Sequence, residues 1–225
     1  MAMSQTLPEY PALPARNQLA ELVGGNAQSS EELLERALKL IAEANDLLTV
    51  QRAKIDTLEN LVDKDEMTGL LNRRGLEEHV ARELARVRRK QSRGCALVIC
   101  DLDGFKGIND NYGHPAGDAA IRAVGDFFTR TVRDTDMTAR LGGDEFALVL
   151  TNIDAEKAAA RAKAISFGLN NLSFKWEDHM IALRGSFGLT SCEGTGKDKF
   201  EKLYRAADEA LYRAKQKQQE VMSDK

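Results

Sequence analysis

Met137-Thr138-Ala139-Arg140-Leu141-Gly142-Gly143-Asp144-Glu145-Phe146-Ala147-Leu148-Val149-Leu150 sets two short apolar runs on either side of a glycine pair followed by two acids. Runs of five residues interrupted by glycines, which permit left-handed backbone, read as two strands of a β-hairpin. Working outward, Cys95 to Cys100 is another short buried strand, followed by a loop and a helix from about Gly117 to Arg133. Leu76 to Arg93 is an amphipathic helix upstream of it. Downstream, alanine-rich Ala155 to Leu169 is helical, Met180 to Thr190 is a strand with internal glycines, and Phe200 to Gln219 is a final helix. The order helix, strand, helix, hairpin, helix, strand, helix predicts an α+β fold, a mixed β-sheet with helices packed on it.

Before this globular part the texture changes. Residues 1–29 carry Pro8, Pro11 and Pro14, then Gly24-Gly25-Asn26, and read as a flexible leader with at most a short helix. Ser29, with Glu32 three residues later, has capping-box spacing and opens a helix over 30–64. Within it Leu34, Ile41, Leu48, Ile55 and Val62 recur every seven residues, with Ala37, Ala44, Gln51 and Leu58 three positions on. That is an a/d heptad pattern, so the helix is expected to pair with a second copy as a coiled coil, Gln51 restricting its register. Leu33, Leu40, Leu47 and Leu61 flank the seam; a dimer is expected, with a tetramer as the alternative. Residues 65–225 then form the globular domain.

Composition closes off several classes. With 43% apolar and 30% charged residues among 225, the chain can bury a core, and disorder throughout is excluded. A formal charge of -3 gives no basic field for a nucleic-acid polymer or an anionic membrane. No apolar stretch approaches the ~20 residues of a membrane span, so no membrane insertion is expected. Cys95, Cys100 and Cys192 have no CxxC spacing, which argues against zinc or a disulfide framework, and the cytoplasm is the expected compartment. The basic run Arg82, Arg86, Arg88, Arg89, Lys90 and Arg93 reads as a solvated helix face.

Two acidic groups stand where strands meet turns: Asp101 with Asp103 after the buried run, and Asp144-Glu145 in the hairpin. Carboxylates in such positions suit Mg²⁺, a hard cation that takes oxygen ligands and leaves coordination places for phosphate. Gly104-Phe105-Lys106-Gly107 offers successive amides and a cation beside them, a cradle for phosphates. Taken alone, a pair of turn acids is better explained as hairpin chemistry.

Further motifs decide between these. Gly142-Gly143-Asp144-Glu145-Phe146 is the signature of the GGDEF family, and Asp65-Glu66-Met67-Thr68-Gly69-Leu70 with Asn72-Arg73-Arg74 is similar to its opening DxLTGLxNRR. Asp101-Leu102-Asp103-Gly104-Phe105-Lys106 with Asn109-Asp110, Gly113-His114 with Gly117-Asp118, and Ala207-Asp208-Glu209-Ala210-Leu211-Tyr212-Arg213-Ala214-Lys215 follow in family order. The chain thus resembles a diguanylate cyclase with a nucleotidyl-cyclase-like GGDEF domain. The resemblance implies condensation of two GTP into cyclic di-GMP across a homodimer, here through a parallel coil. It implies that Asp101, the Leu102 carbonyl, Asp144 and Glu145 bind Mg²⁺ or Mn²⁺, and that Asp144, helped by Lys106 and Glu145, acts in catalysis. Gly104, Phe105, Lys106 and Lys215 would hold phosphates, and Asn109 and Asp118 would read guanine. Arg133 and Asp136 match the family's inhibitory RxxD motif for the product, completed by Arg161 or by one of Arg86, Arg88 and Arg89. One departure stands out: Gln218-Gln219 replaces the usual Gly-Arg. The alternative readings are a catalytically silent module that binds GTP or cyclic di-GMP, and a coiled-coil scaffold with residues 1–29 docking a protein partner.

Overall fold

The computed structural model describes the backbone over residues 30–192 and 199–223, with side chains over 34–52, 63–192 and 199–217. The expected leader and the side chains of Leu33, Ile55, Leu58, Leu61, Val62, Gln218 and Gln219 lie outside the described residues. In chain order the helices are α1 (Ser30–Asp63), α2 (Arg73–Arg88), α3 (Phe105–Tyr112), α4 (His114–Thr131), α5 (Ala155–Leu169) and α6 (Phe200–Ser223). The strands are β1 (Cys95–Leu102), β2 (Met137–Gly142), β3 (Glu145–Thr151), β4 (Ser173–Trp176), β5 (His179–Ala182) and β6 (Gly185–Cys192). Contacts divide the chain into a unit ending at Leu58, whose described part is α1 up to that residue, and a unit from Glu59 that holds the last residues of α1 and every other element.

Leu34, Ile41 and Leu48 of α1, all at the expected a positions, are 61%, 57% and 50% exposed, and Leu38 and Val50 are exposed with them. Among the described residues no helix is long and apolar enough to cross a membrane.

The second unit is the expected α+β architecture. Its main sheet runs β2-β3-β1-β6. Every strand pairing in it is antiparallel, and the parallel component is confined to the isolated bridge Leu71–Ala139. Helices cover both faces, which is why β1 and β3 are buried almost end to end instead of alternating with water. Ala96, Val98, Cys100, Phe146 and Leu148 face one cluster with Ile121 and Phe128 of α4 and Ile165 of α5. Leu97, Ile99, Ala147 and Val149 face the other with Leu76 and Val80 of α2 and Leu203 and Leu211 of α6. The period-two alternation of strand side chains sorts them between the two layers.

Several boundaries differ from the sequence reading. Asn72, whose side chain accepts the Gly75 N–H at 3.0 Å, caps α2 earlier than Leu76, and Lys90 at φ 58° stops it short of Arg93. The stretch read as a loop after β1 contains α3, framed by left-handed Gly104 (φ 73°) and by Gly113 (φ 82°). Pro115 sits in the first turn of α4, so that helix starts at His114. The strand expected over Met180 to Thr190 is two: β5 pairs with β4 in a separate hairpin, and the chain crosses at Leu183-Arg184 into β6. Ala155 to Leu169 forms α5 as read.

The helix α6 lies against β6 so closely that a Cβ on Gly188 would stand 2.1 Å from the Ala207 carbonyl oxygen and 2.4 Å from the Leu211 nitrogen. Backbone cannot yield as a flexible side chain can. Gly188→Ala is therefore expected to cost about 2 kcal/mol or more of stability in urea unfolding, as overpacked sites do. Gly107→Ala, with nothing within 4 Å of the position a Cβ would take, should be neutral or stabilising by up to ~1 kcal/mol. Equal midpoints for the two variants would contradict this packing.

Candidate functional site

Register brings the acids together. Asp101, near the end of β1, pairs with Glu145 of β3 on one side and Ser186 of β6 on the other. One residue on, the Leu102 N–H donates to the Asp144 carbonyl at 3.2 Å, and the Asp103 N–H donates to the Arg184 carbonyl at 3.0 Å. The end of the central strand and the hairpin turn thus share one corner of the sheet. There the sequence-expected Asp101, Leu102, Asp144 and Glu145 meet.

Helix α6 supplies the other wall. Lys215 Nζ donates to Asp101 Oδ1, and Tyr204 Oη donates to Glu145 Oε1 at 2.9 Å. A cavity of about 600 Å³ opens between them, its lining including Asp101, Glu145, Tyr204, Asp208 and Lys215. Lys106, Asn109 and Asp118 are not in that lining; Lys106 and Asn109 lie on α3, which begins at Phe105 just after β1 ends, and Asp118 lies on α4.

The electrostatics follow from burial against charge. Burial raises the Asp103 carboxyl above its ordinary range; the Ser186 hydroxyl, donating at 2.9 Å, and Lys215 oppose that rise, while Asp101 adds to it. Burial, then the hydrogen bond to Glu145, pushes the Tyr204 phenol up to about 12, so it remains a donor at neutral pH. Burial next to Asp103 and Asp101 keeps the Cys100 thiol well above its usual value, an inert core group.

The turn that carries Asp144 is held from outside. Gly143 adopts φ 52°, and its carbonyl accepts from Arg140 Nε at 3.0 Å and Nη2 at 2.8 Å. Arg140 Nη1 lies 3.3 Å from Asp65 Oδ2, and Asp65 Oδ1 accepts from the Thr68 N–H at 2.9 Å and its hydroxyl at 2.7 Å. Burial raises the Asp65 carboxyl, but the Thr68 bonds and the Arg140 charge outweigh it and hold it below the ordinary range. Sequence reasoning assigned no role to Arg140 or Tyr204. The available signals were an arginine inside an otherwise apolar strand and a tyrosine one turn ahead of the last motif.

The nucleotide-reading candidates are positioned by close approach. Asn109 of α3 and Asp118 of α4 are both partly buried. A Cβ on Gly117 would stand 2.0 Å from Asn109 Oδ1, so only glycine leaves that amide in place. Gly104 opens α3, presenting the first-turn segment of Phe105 and exposed Lys106 at a helix N-terminus.

The product-site candidates also converge. The Asp136 carboxylate, 2% exposed, accepts from the Arg133 and Thr151 N–H groups at 3.2 and 3.0 Å and from Arg161 Nη2 at 3.2 Å. Arg161 thereby joins Arg133 and Asp136. Arg86, Arg88 and Arg89 are exposed at the C-terminal end of α2, where Arg86 pairs with the buried Glu83 at 3.0 Å.

Among the described residues no three acidic, histidine or cysteine side chains close into a complete metal cage. Asp101, Asp144, Glu145 and the Leu102 carbonyl are nonetheless an all-oxygen donor set. That suits Mg²⁺, which normally completes its shell with water and substrate phosphate.

The sequence and the fold both match known proteins. The family model described as diguanylate cyclase, GGDEF domain, matches residues 62–221. Diguanylate cyclase DgcP of Pseudomonas aeruginosa is 31% identical over 192 residues, covering 84% of this chain and 28% of its own length. The chain therefore spans under a third of that relative. The structure of diguanylate cyclase SiaD with its activator SiaC, also from Pseudomonas aeruginosa, superimposes with a TM-score of 0.74 at 26% identity, covering 90% of this chain and 75% of that one. The GGDEF domain of DgcB from Caulobacter crescentus, in complex with c-di-GMP, matches with a TM-score of 0.63 at 27% identity over 69% of this chain and 88% of its own.

The clamp on the turn makes a local prediction. Arg140→Met should lower hydrogen-exchange protection at Gly143 to Glu145 while leaving the amides of β1 unchanged, at a stability cost of about 1–2 kcal/mol. Because Asp65 is held below its unfolded value, its contribution is present above the ordinary carboxylate range and is lost as pH falls through the folded value. The stability gap between wild type and variant should accordingly narrow on acidification. A gap that widens would contradict the pairing.

Proposed function

Because the chain belongs to the GGDEF diguanylate cyclase family, we propose that it condenses two GTP molecules into cyclic di-GMP and pyrophosphate across a homodimer. The observation that supports this most directly is the convergence of Asp101, the Leu102 carbonyl, Asp144 and Glu145 at one sheet corner, with Lys215 beside them. On this reading those oxygens hold Mg²⁺ or Mn²⁺, which when bound lowers the pKa of the attacking hydroxyl and offsets charge at the phosphates. Asp144 accepts the proton of the ribose 3′-hydroxyl. Phe105 and Gly104 cradle the phosphates through backbone amides, while Lys106 and Lys215 balance charge on the leaving pyrophosphate. Gln218-Gln219 leaves one family arginine missing from that set.

Asn109 and Asp118 set the base. Guanine presents N1–H and N2–H₂ donors that a carboxylate accepts, whereas adenine would turn a lone pair toward Asp118. GTP is thus preferred to ATP. Arg133 and Arg161 form the gripping edge of a product-inhibition site, with Asp136 orienting Arg161 from inside. The GTP pool places the reaction in the cytoplasm, and residues 1–29 are assigned to a protein partner.

The dimer in this proposal comes from α1, in the domain division 1–29, 30–64 and 65–225. Exposed Leu34, Ile41 and Leu48 form a seam that a parallel second copy would cover. Parallel pairing puts both catalytic domains at the same end, at high effective concentration.

Asp144→Asn and Asp101→Asn should each lower cyclic di-GMP formation by about 100-fold or more, because charge stabilisation at the reacting phosphate is lost. Their unfolding midpoints should stay near wild type. More than a tenth of wild-type turnover in either variant, at matched Mg²⁺, would overturn the assignment. Replacing Ile41 and Leu48 with glutamate should give a folded monomer whose specific activity rises with protein concentration, read by light scattering beside a dilution series. A monomer with full activity independent of concentration would contradict the dimer.

A further inference from the structure

Tyr204, Asp208, Leu211 and Lys215 follow one another at helical spacing and share one face of α6. Leu211 packs into the core beside β6, and its neighbours on that face point along the acidic corner. Lys215 meets Asp101, and three turns earlier Tyr204 Oη donates to Glu145 Oε1 at 2.9 Å. The same helix thus touches both acids of a cross-strand pair.

Tyr204 is itself held. The Arg73 guanidinium, at the start of α2, sits 4.8 Å from the centroid of its ring, and Phe200 flanks it at 5.8 Å between centroids. Arg73 also pairs with Glu77 at 3.3 Å and directly follows the Asn72 cap. A phenylalanine would fill this ring site equally well. Only the hydroxyl requires tyrosine, and the hydroxyl's partner is a carboxylate 59 residues away in sequence.

We infer that Tyr204 is a positioning residue for Glu145: braced by Arg73, it occupies one carboxylate oxygen and fixes the plane of the carboxyl, turning the other oxygen toward Asp101 and the metal. The inference rests on the cyclase reading for Glu145's task, and on geometry alone for the brace. A carboxylate on a rotatable side chain next to a second acid is repelled by it. A fixed neutral donor removes that freedom without placing a cation on Glu145, which leaves that carboxylate's negative charge available to a divalent ion.

The test uses the full chain as wild type, Tyr204→Phe, Glu145→Ala and the double variant. Mn²⁺ binding is read by electron paramagnetic resonance with a GTP analogue carrying a methylene between the α- and β-phosphorus atoms. Tyr204→Phe should weaken Mn²⁺ binding by about tenfold, the order expected for losing a hydrogen bond to a charged group. In the Glu145→Ala background the same change should have less than about a twofold effect, because a residue acting through Glu145 has nothing left to position. Equal losses in both backgrounds would make Tyr204 a packing residue and overturn the inference, as would no loss beside intact Glu145. Turnover gives a second readout: kcat should fall by about tenfold with KM for GTP held within about twofold, since Tyr204 meets the acid and not the nucleotide. A wild type that binds Mn²⁺ with nucleotide but forms no cyclic di-GMP would sink the cyclase reading while the binding cycle still judges Tyr204. A wild type that binds no Mn²⁺ would overturn both.

Discussion

The antiparallel register that sets Asp101 between Glu145 and Ser186 is the constraint on which the site depends. Side chains alternate along a strand with a period of two, so a slip of one residue between β1 and β3 would send Asp101 to the opposite face and expose Val98 or Leu97 to the wrong layer. Helices covering both faces make either slip costly. The core therefore enforces the alignment of the acids, although none of them is part of it. Helix α6 completes the corner only because Gly188 lets its backbone settle on β6, carrying Tyr204 and Lys215 to the two carboxylates.

Charge is handled differently at the two ends of the corner. Asp101 and Asp103 have Lys215 and Ser186, which temper the repulsion between neighbouring acids without removing it. The hairpin turn bears Asp144 on backbone that glycine makes possible and also makes loose, since glycine loses the most freedom on folding. Arg140 offsets that looseness by gripping the Gly143 carbonyl, and Asp65 anchors Arg140 from the segment ahead of α2. Placing the fixed cation on the turn's carbonyl, and not on Asp144, keeps that carboxylate's charge for a ligand.

Local pattern carried much of the fold. The hairpin, β1 and α5 are visible as apolar runs or alanine-rich periodicity, and they stand where the pattern put them. Element α3 was invisible because its eight residues are mostly polar and glycine-flanked, a composition shared with loops. The β4–β5 hairpin was missed because four-residue strands carry too few alternations to register. In the site, Asp101, Asp144, Glu145 and Lys215 were legible because they lie in contiguous motifs. Arg140 and Tyr204 were not, because their partners sit 75 and 59 residues away and no local spacing encodes such a contact. The exposed seam of α1 is the reverse case: its heptad is plain in sequence, and the structure of one chain leaves Leu34, Ile41 and Leu48 in water.

The central claim is that this acidic corner joins two GTP molecules. The most direct measurement incubates the purified full chain with Mg²⁺ and GTP, resolves nucleotides by chromatography, and quantifies pyrophosphate in the same samples. The account predicts cyclic di-GMP with two pyrophosphates released per cyclic product and no comparable product from ATP. GTP that is bound but left unconverted, or converted only to GDP and phosphate, would contradict it.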